Sequence, residues 1–273
     1  MLVLGIAGTA KNTGKTTTTV AIINQWSNYR ALAVTSIGYD GESKDNVTGL
    51  PKPRLNVPAG ALVVTAEECL EAGSARLESL KKTDIATPLG TLVICRVRTA
   101  GLAVLAGPNN SSALRYIITR LEEYGIDLFL VDGALGRLAP MAATHGLVLA
   151  TGAARTRDLD RLAQETAALA SLFSLEKAAG CNVPTLQLGS MLVKEQGEMA
   201  AQEAHGYKAV EFSGVVDLVP LRVFMERLAP ARPHLILLDP VKLMLSQDLV
   251  ETAGLLSMYQ KGGGRVMARN TLP

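Results

Sequence analysis

The segment Gly8-Thr9-Ala10-Lys11-Asn12-Thr13-Gly14-Lys15-Thr16 constrains this chain more than any other. It follows a short apolar run, Leu2-Val-Leu-Gly-Ile-Ala7, which reads as a buried strand. It precedes Thr16 to Ser27, where Val20, Ile22, Ile23 and Trp26 supply the inner face of a helix. Strand, Gly-rich loop and helix thus stand in the order that phosphate binding demands. Glycine permits backbone angles that aim successive N–H groups at anionic oxygens. The helix N-terminus adds the positive end of its dipole. A lysine at this point reaches the β- and γ-phosphates of a nucleoside triphosphate, and the following hydroxyl ligates Mg2+. The expected phosphate-binding set is Gly8, Thr9, Lys11, Asn12, Thr13, Gly14, Lys15, Thr16 and Thr17. One departure stands out. The spacing G-x-x-x-x-G-K-[ST] needs glycine at position 9, where this chain has threonine, and Gly8 lies one residue earlier. The bland alternative is a Gly/Thr-rich turn with no ligand.

Further strand candidates are Ala31 to Ile37, Ala61 to Val64, Thr91 to Arg96, Leu102 to Leu105, Asp127 to Asp132 and Leu147 to Ala150. Helical spacing covers Ala66 to Ala72, a stretch from Gly107-Pro-Asn-Asn-Ser-Ser112 through Glu123, and Asp158 to Phe173. Pro51, Pro53 and Pro58 argue against a helix in Thr48 to Gly60. Alternating strands and helices predict an α/β fold with a mostly parallel, doubly wound sheet of the P-loop NTPase type. A composition shift at Ser174 to Val183 suggests a nucleotide-binding domain over 1–174 and an α/β C-terminal subdomain over 175–273. There, Ala209 to Phe212, His234 to Leu238 and Arg265 to Ala268 read as strands, and Pro220 to Leu228 and Val241 to Tyr259 as helices. The chain stops at Pro273, just after an apparent strand, as a truncated version of something longer would.

Composition narrows the function classes. Hydrophobic residues make up 48% of the 273, and aromatic ones only 4%, a bias suited to buried parallel strands under helices. The net charge of +2, without a long basic run, argues against nucleic acid. No apolar run approaches the roughly 18 residues of a membrane span. Cys69, Cys95 and Cys181 are odd in number and far apart, which fits a reduced, cytoplasmic compartment. The N-terminus lacks the basic region and cleavage site of a signal peptide. His145, His205 and His234 share no ligand spacing and read as packing or surface residues.

A phosphate-binding loop needs a carboxylate to hold the magnesium shell. Asp132 ends the apolar run Leu128-Phe-Leu-Val131, at the ligand-binding edge of such a sheet. Its other reading is a strand-end cap. Asp127 begins the same strand and reads as structural. Asp40 and Glu42 hang from the second strand, where either could orient an attacking water or a magnesium-bound one, or simply be solvated. The candidate catalytic set is Lys15, Asp40 and Asp132, and the candidate metal set is Thr16, Asp132 and Asp40. Lys52 and Arg54 read as surface charge, or as partners of a phosphate or a carboxylate. Ser111 or Ser112 reads as the cap of the helix that follows, with a ligand contact as the other reading. Gly152-Ala-Ala-Arg-Thr156 follows a strand end and could sit near the base. No Asn-Lys-x-Asp segment is present, which favours ATP over GTP.

Gly8-Thr-x-x-x-x-Gly-Lys-Thr16 resembles the loop of dethiobiotin synthetases. Their wider class includes cell-division and partition ATPases, cobyrinate amidases and chaperones of cobalamin-dependent mutases. Many members carry a signature lysine; Lys11 lies four residues before Lys15, one short of that position. It either reaches phosphate across a dimer interface or is a solvated loop lysine. Three regions together are similar to the ATPase-like reactivase subunit of lysine 5,6-aminomutase. They are Ala10 to Thr16; Thr35-Ser-Ile-Gly-Tyr-Asp-Gly-Glu42 with Pro51-Lys-Pro-Arg54; and Val131-Asp-Gly-Ala-Leu135 with Leu149-Ala-Thr-Gly152. The likeness covers about the first 160 residues well and the remainder loosely.

That resemblance implies a chaperone-like ATPase that uses ATP and Mg2+ to reactivate an adenosylcobalamin-dependent aminomutase. Implied partners are that mutase, a second reactivase subunit and a second copy of the chain. Gly38 to Asp45 and Gly133 to Arg137 would be its γ-phosphate-sensitive switches. Two alternatives stand beside it. One is a dethiobiotin synthetase-like ligase acting on a small carboxylate or amine. The other is a non-catalytic partner module that retains the fold.

Overall fold

A computed structural model describes residues 1–26, 31–38, 54–134, 141, 143–179, 183–189, 191–193, 196–243 and 248–270. It is an α/β protein with two compact units, Met1–Arg157 and Asp158–Pro273. The helix that begins at Leu159 belongs to the second unit, so the division falls before the composition shift at Ser174 to Val183.

The first unit runs β1 (Leu2–Gly8), α1 (Lys15–Trp26), β2 (Leu32–Ser36), β3 (Arg54–Val57), β4 (Leu62–Ala66), β5 (Arg76–Thr87), β6 (Gly90–Thr99), β7 (Gly101–Val104), α2 (Ser111–Glu122), β8 (Leu128–Ala134) and β9 (Gly146–Ala150). Seven strands form one mixed sheet in the order β5-β6-β4-β2-β8-β1-β9. Strands β4, β2, β8, β1 and β9 pair in parallel, and β6 and β5 join antiparallel at one edge. The parallel strands β2 and β4 are buried along their whole length, as strands covered on both faces must be. Ile6, Ile23, Val34, Val63, Leu128 and Leu130 share one core, against which Trp26 at the end of α1 is partly buried. A separate two-stranded ribbon pairs β3 with β7.

Local chemistry explains several differences from expectation. Asn110, not Ser111 or Ser112, caps α2: its side chain accepts the Ala113 N–H at 2.8 Å. Ala66 to Ala72 forms only a 3-10 turn, Glu67–Cys69. β5 lies outside the strands expected from the sequence, because Arg76-Leu-Glu-Ser-Leu-Lys-Lys-Thr-Asp is rich in poor strand formers. It is held as an edge strand by β6, with register shifts that scramble its alternation.

The second unit runs α3 (Leu159–Phe173), β10 (Glu176–Lys177), β11 (Thr185–Leu188), α4 (Gln196–Glu203), β12 (Ala209–Phe212), α5 (Leu218–Arg227), β13 (His234–Leu237), α6 (Leu249–Lys261) and β14 (Val266–Ala268). Its five strands are all parallel, in the order β10-β14-β13-β12-β11. Successive crossovers of one hand, each moving one strand along, place their helices on one face. The packing of α4 on α5 and of α5 on α6 agrees with this. Phe212 meets Phe224 edge-on at 5.4 Å and fastens α5 to β12. The single helix expected over Val241 to Tyr259 is instead a 3-10 turn, Pro240–Leu243, and α6, which Asp248 caps through the Val250 and Glu251 N–H groups. Among the described residues there are six α-helices, and none is long and apolar enough to cross a membrane.

Candidate functional site

Strand β1 ends at Gly8 between β8 and β9, and that placement assembles the site. A Cβ at Gly8 would lie 2.8 Å from the Thr13 hydroxyl, so the loop folds back too closely for a side chain there. Thr13 Oγ1 donates to the Ala10 carbonyl at 2.9 Å and closes the turn. Asn12 and Gly14 both take positive φ, 62° and 91°. Such alternation turns neighbouring N–H groups into one concavity that suits an anion. α1 begins at Lys15, and its first N–H groups have no acceptor within the helix. Lys11, Asn12, Thr16 and Thr17 are exposed around this loop.

Thr9, at the position where the usual spacing has glycine, does not face the concavity with its side chain. It is buried, its N–H donates to the Ala150 carbonyl at 3.0 Å, and its hydroxyl donates to Thr151 Oγ1 at 2.8 Å. The loop is therefore tied to the end of β9. Gly152 to Thr156, which continues from there, forms a turn closed by Arg155 N–H on the Gly152 carbonyl at 2.8 Å.

β8 lies beside β1 in a register that pairs Ile6 with Asp132. Lys15 Nζ meets Asp132 Oδ2 at 2.8 Å; the Asp132 side chain is 2% exposed and that of Lys15 25%. Thr19, one turn along α1 from Lys15, shares its single hydroxyl proton between the Lys15 carbonyl at 3.1 Å and Asp132 Oδ1 at 3.4 Å. Burial pushes the Asp132 carboxyl above its ordinary value, with Lys15 and the Thr19 hydroxyl pulling the other way. A carboxylate with one loosely held oxygen, and the exposed Thr16 hydroxyl one residue beyond the lysine that bonds it, are hard oxygen donors of the kind that suits magnesium held mainly by phosphate and water. Among the described residues no group of three or more His, Cys, Asp and Glu side chains could hold a metal alone.

Thus Lys15 and Asp132 come together, and Gly8 through Thr17 form one continuous loop and helix start. Asp40, Glu42, Lys52, Leu135 to Arg137 and Cys181 lie outside the described residues, as does the Arg54 side chain. Asp127 is structural at the opposite edge, accepting the Ala31 N–H at 3.2 Å. His145 Nδ1 accepts the Val3 N–H at 3.1 Å, a packing role. Cys69 and Cys95 are free and buried, and burial pushes the Cys95 thiol up to about 12. Sequence reasoning missed Thr19 and Thr151. The spacing of Thr19 from Lys15 places both on one helix face, a usable signal; Thr151 becomes visible only when β9 is paired to β1.

No protein-family model matches this chain, and no curated protein or solved structure does either.

Proposed function

We propose that the first unit binds ATP with Mg2+ at Gly8 to Thr17 and hydrolyses it. The observation that carries this reading is the Lys15–Asp132 contact of 2.8 Å between a helix N-terminus and the neighbouring parallel strand. In it, the loop N–H groups and Lys15 Nζ hold the triphosphate oxygens and stabilise charge that develops on transfer. Thr16 Oγ1 and Asp132 would hold magnesium, which neutralises phosphate charge when bound. Asp40 would orient the attacking water.

The use of that turnover follows from the resemblance of the three sequence regions. The chain acts in the cytoplasm as the ATPase-like subunit of a reactivase, opening an adenosylcobalamin-dependent aminomutase so that damaged cofactor leaves. A second reactivase subunit and a second copy of the chain are its expected partners.

Lys15→Ala tests the phosphate reading: calorimetry with ATP and Mg2+ should show binding abolished, and unchanged affinity sinks it. The reactivase reading expects slow basal hydrolysis, stimulation by an aminomutase complex, and rescue of the inactivated mutase. Strong stimulation by a small acid or amine, with none by the mutase, would show a ligase instead.

A further inference from the structure

The Lys15–Asp132 pair raises a question that the phosphate reading leaves open, because Lys15 cannot serve two anions equally well. Its ammonium is already engaged, at 2.8 Å, by a carboxylate that is 2% exposed. Asp132 has little freedom to withdraw. Its main chain is bonded on both sides: it pairs with Ile6 of β1 and Ser36 of β2, and its carbonyl accepts the Ile37 N–H at 2.7 Å. Lys15, by contrast, is 25% exposed and stands at the first position of a helix on a flexible stem. Only the lysine can move. A buried carboxylate left without a cation is costly, so whatever draws Lys15 away must leave another cation behind.

We propose that Asp132 stands in for phosphate on Lys15 while the site is empty, and that nucleotide enters by exchange. The inference rests on the phosphate-loop reading and deepens it. The incoming phosphate takes Lys15 Nζ, and the Asp132 carboxylate passes to the magnesium that accompanies the nucleotide. Thr19 stands ready on the other oxygen: its hydroxyl, which bonds the Lys15 carbonyl at 3.1 Å, also reaches Oδ1 at 3.4 Å rather than the Oδ2 that Lys15 holds, and can turn fully to the carboxylate as Lys15 leaves. Two consequences follow. Nucleotide without magnesium binds poorly, because it strands Asp132. Magnesium without nucleotide binds poorly as well, because Lys15 already occupies the carboxylate. The device makes the site respond to the magnesium complex and discriminate against either component alone.

The test uses the full chain and ADP as probe, titrated by calorimetry in the presence of a chelator. Asp132→Asn keeps the shape and removes the competing charge. It should bind magnesium-free ADP about tenfold more tightly than the unaltered protein, a difference of about 1.4 kcal/mol. The gain should vanish when Lys15→Ala is added. Equal or weaker magnesium-free binding by Asp132→Asn overturns the exchange. Thr19→Val, also shape-preserving, gives an independent reading should Asp132→Asn not fold. With the Oδ1 bond gone, Asp132 depends wholly on Lys15, and magnesium-free ADP should bind about threefold more weakly; no change overturns the exchange. Lys15→Ala alone separates the two levels. If it leaves ADP binding intact, the phosphate-loop reading fails with the exchange. If it abolishes binding while Asp132→Asn brings no gain, only the exchange fails.

Discussion

Asp132 in the first unit and Glu211 in the second each sit on a parallel strand beside a basic residue, yet they are built to opposite ends. Glu211 is held by two side chains. Arg269 Nη2 donates to its Oε2 at 2.7 Å and Nε reaches both oxygens at 3.2 Å, while Gln187 Nε2 adds a bond at 3.0 Å. Arg269 is itself fixed, donating through Nη1 to the Ala178 carbonyl at 3.0 Å. This cluster ties together β11, β12 and the end of β14. Asp132 has one close partner and one long bond. The acid equilibria differ in the same way. The Arg269 hydrogen bond holds the Glu211 carboxyl below its ordinary value, whereas burial holds Asp132 above its own. A buried acid gripped by a fixed guanidinium and a second donor is a brace. One that is desolvated and held by a single movable cation is poised to change partners.

The largest expected effect separates the two directly. Arg269→Ala leaves Glu211 buried without its cation and should cost roughly 3–5 kcal/mol, read as a lower urea midpoint. In the unaltered protein, Glu211 favours folding fully above its ordinary 4.5, and that contribution is lost as pH falls through its lower folded value. Arg269→Ala should therefore flatten the acid limb of the stability profile. A variant as stable as the parent at neutral pH would mean Glu211 is no brace.

Lys15→Ala comes next, at roughly 1–3 kcal/mol, because it removes a single ammonium contact where Arg269→Ala removes a multiply bonded guanidinium. The pH sign is reversed. With its folded value already above the ordinary 3.8, Asp132 favours the fold fully below 3.8, and the favour fades as pH rises through the raised value. Losing Lys15 raises that value further. The deficit of Lys15→Ala should be widest at neutral pH and close in acid, measured as the difference in melting temperature from the parent across the range. A deficit that widens in acid contradicts the scheme.

Thr151→Val removes the acceptor of the Thr9 hydroxyl and should cost about 1 kcal/mol, with ADP–magnesium affinity a few-fold weaker by calorimetry. The smallest effect belongs to Asp132→Asn, whose neutral side chain is cheaper to bury. Its stability should stay within about 0.5 kcal/mol of the parent although its binding changes. A large loss would place Asp132 with Glu211 as a brace.

The sequence disclosed the parts of this comparison unevenly. β1, β2 and β8 were readable because short apolar runs ended at polar turns, so Lys15 and Asp132 could be named from the residues. Their meeting follows from β8 lying next to β1, a strand order that no local pattern encodes. Glu211 and Arg269 stand 58 residues apart and carry no motif. β5 escaped because its charges suit an exposed edge, and its register shifts erase the alternation. Thr9 read as a departure from a pattern; its purpose depends on Thr151, across a strand pairing.

The core of the first unit holds one more feature with use. Trp26, the chain's single tryptophan, lies in the last turn of α1, the helix that starts at Lys15. It is half-buried against residues that also support β1 and β8. Its ultraviolet emission therefore arises from one place, with six tyrosines as the only other strong emitters. Quenching or a spectral shift on adding ADP would report on that helix alone, in the unlabelled protein and on the timescale of mixing. The chain carries its own optical gauge on the element that holds its lysine.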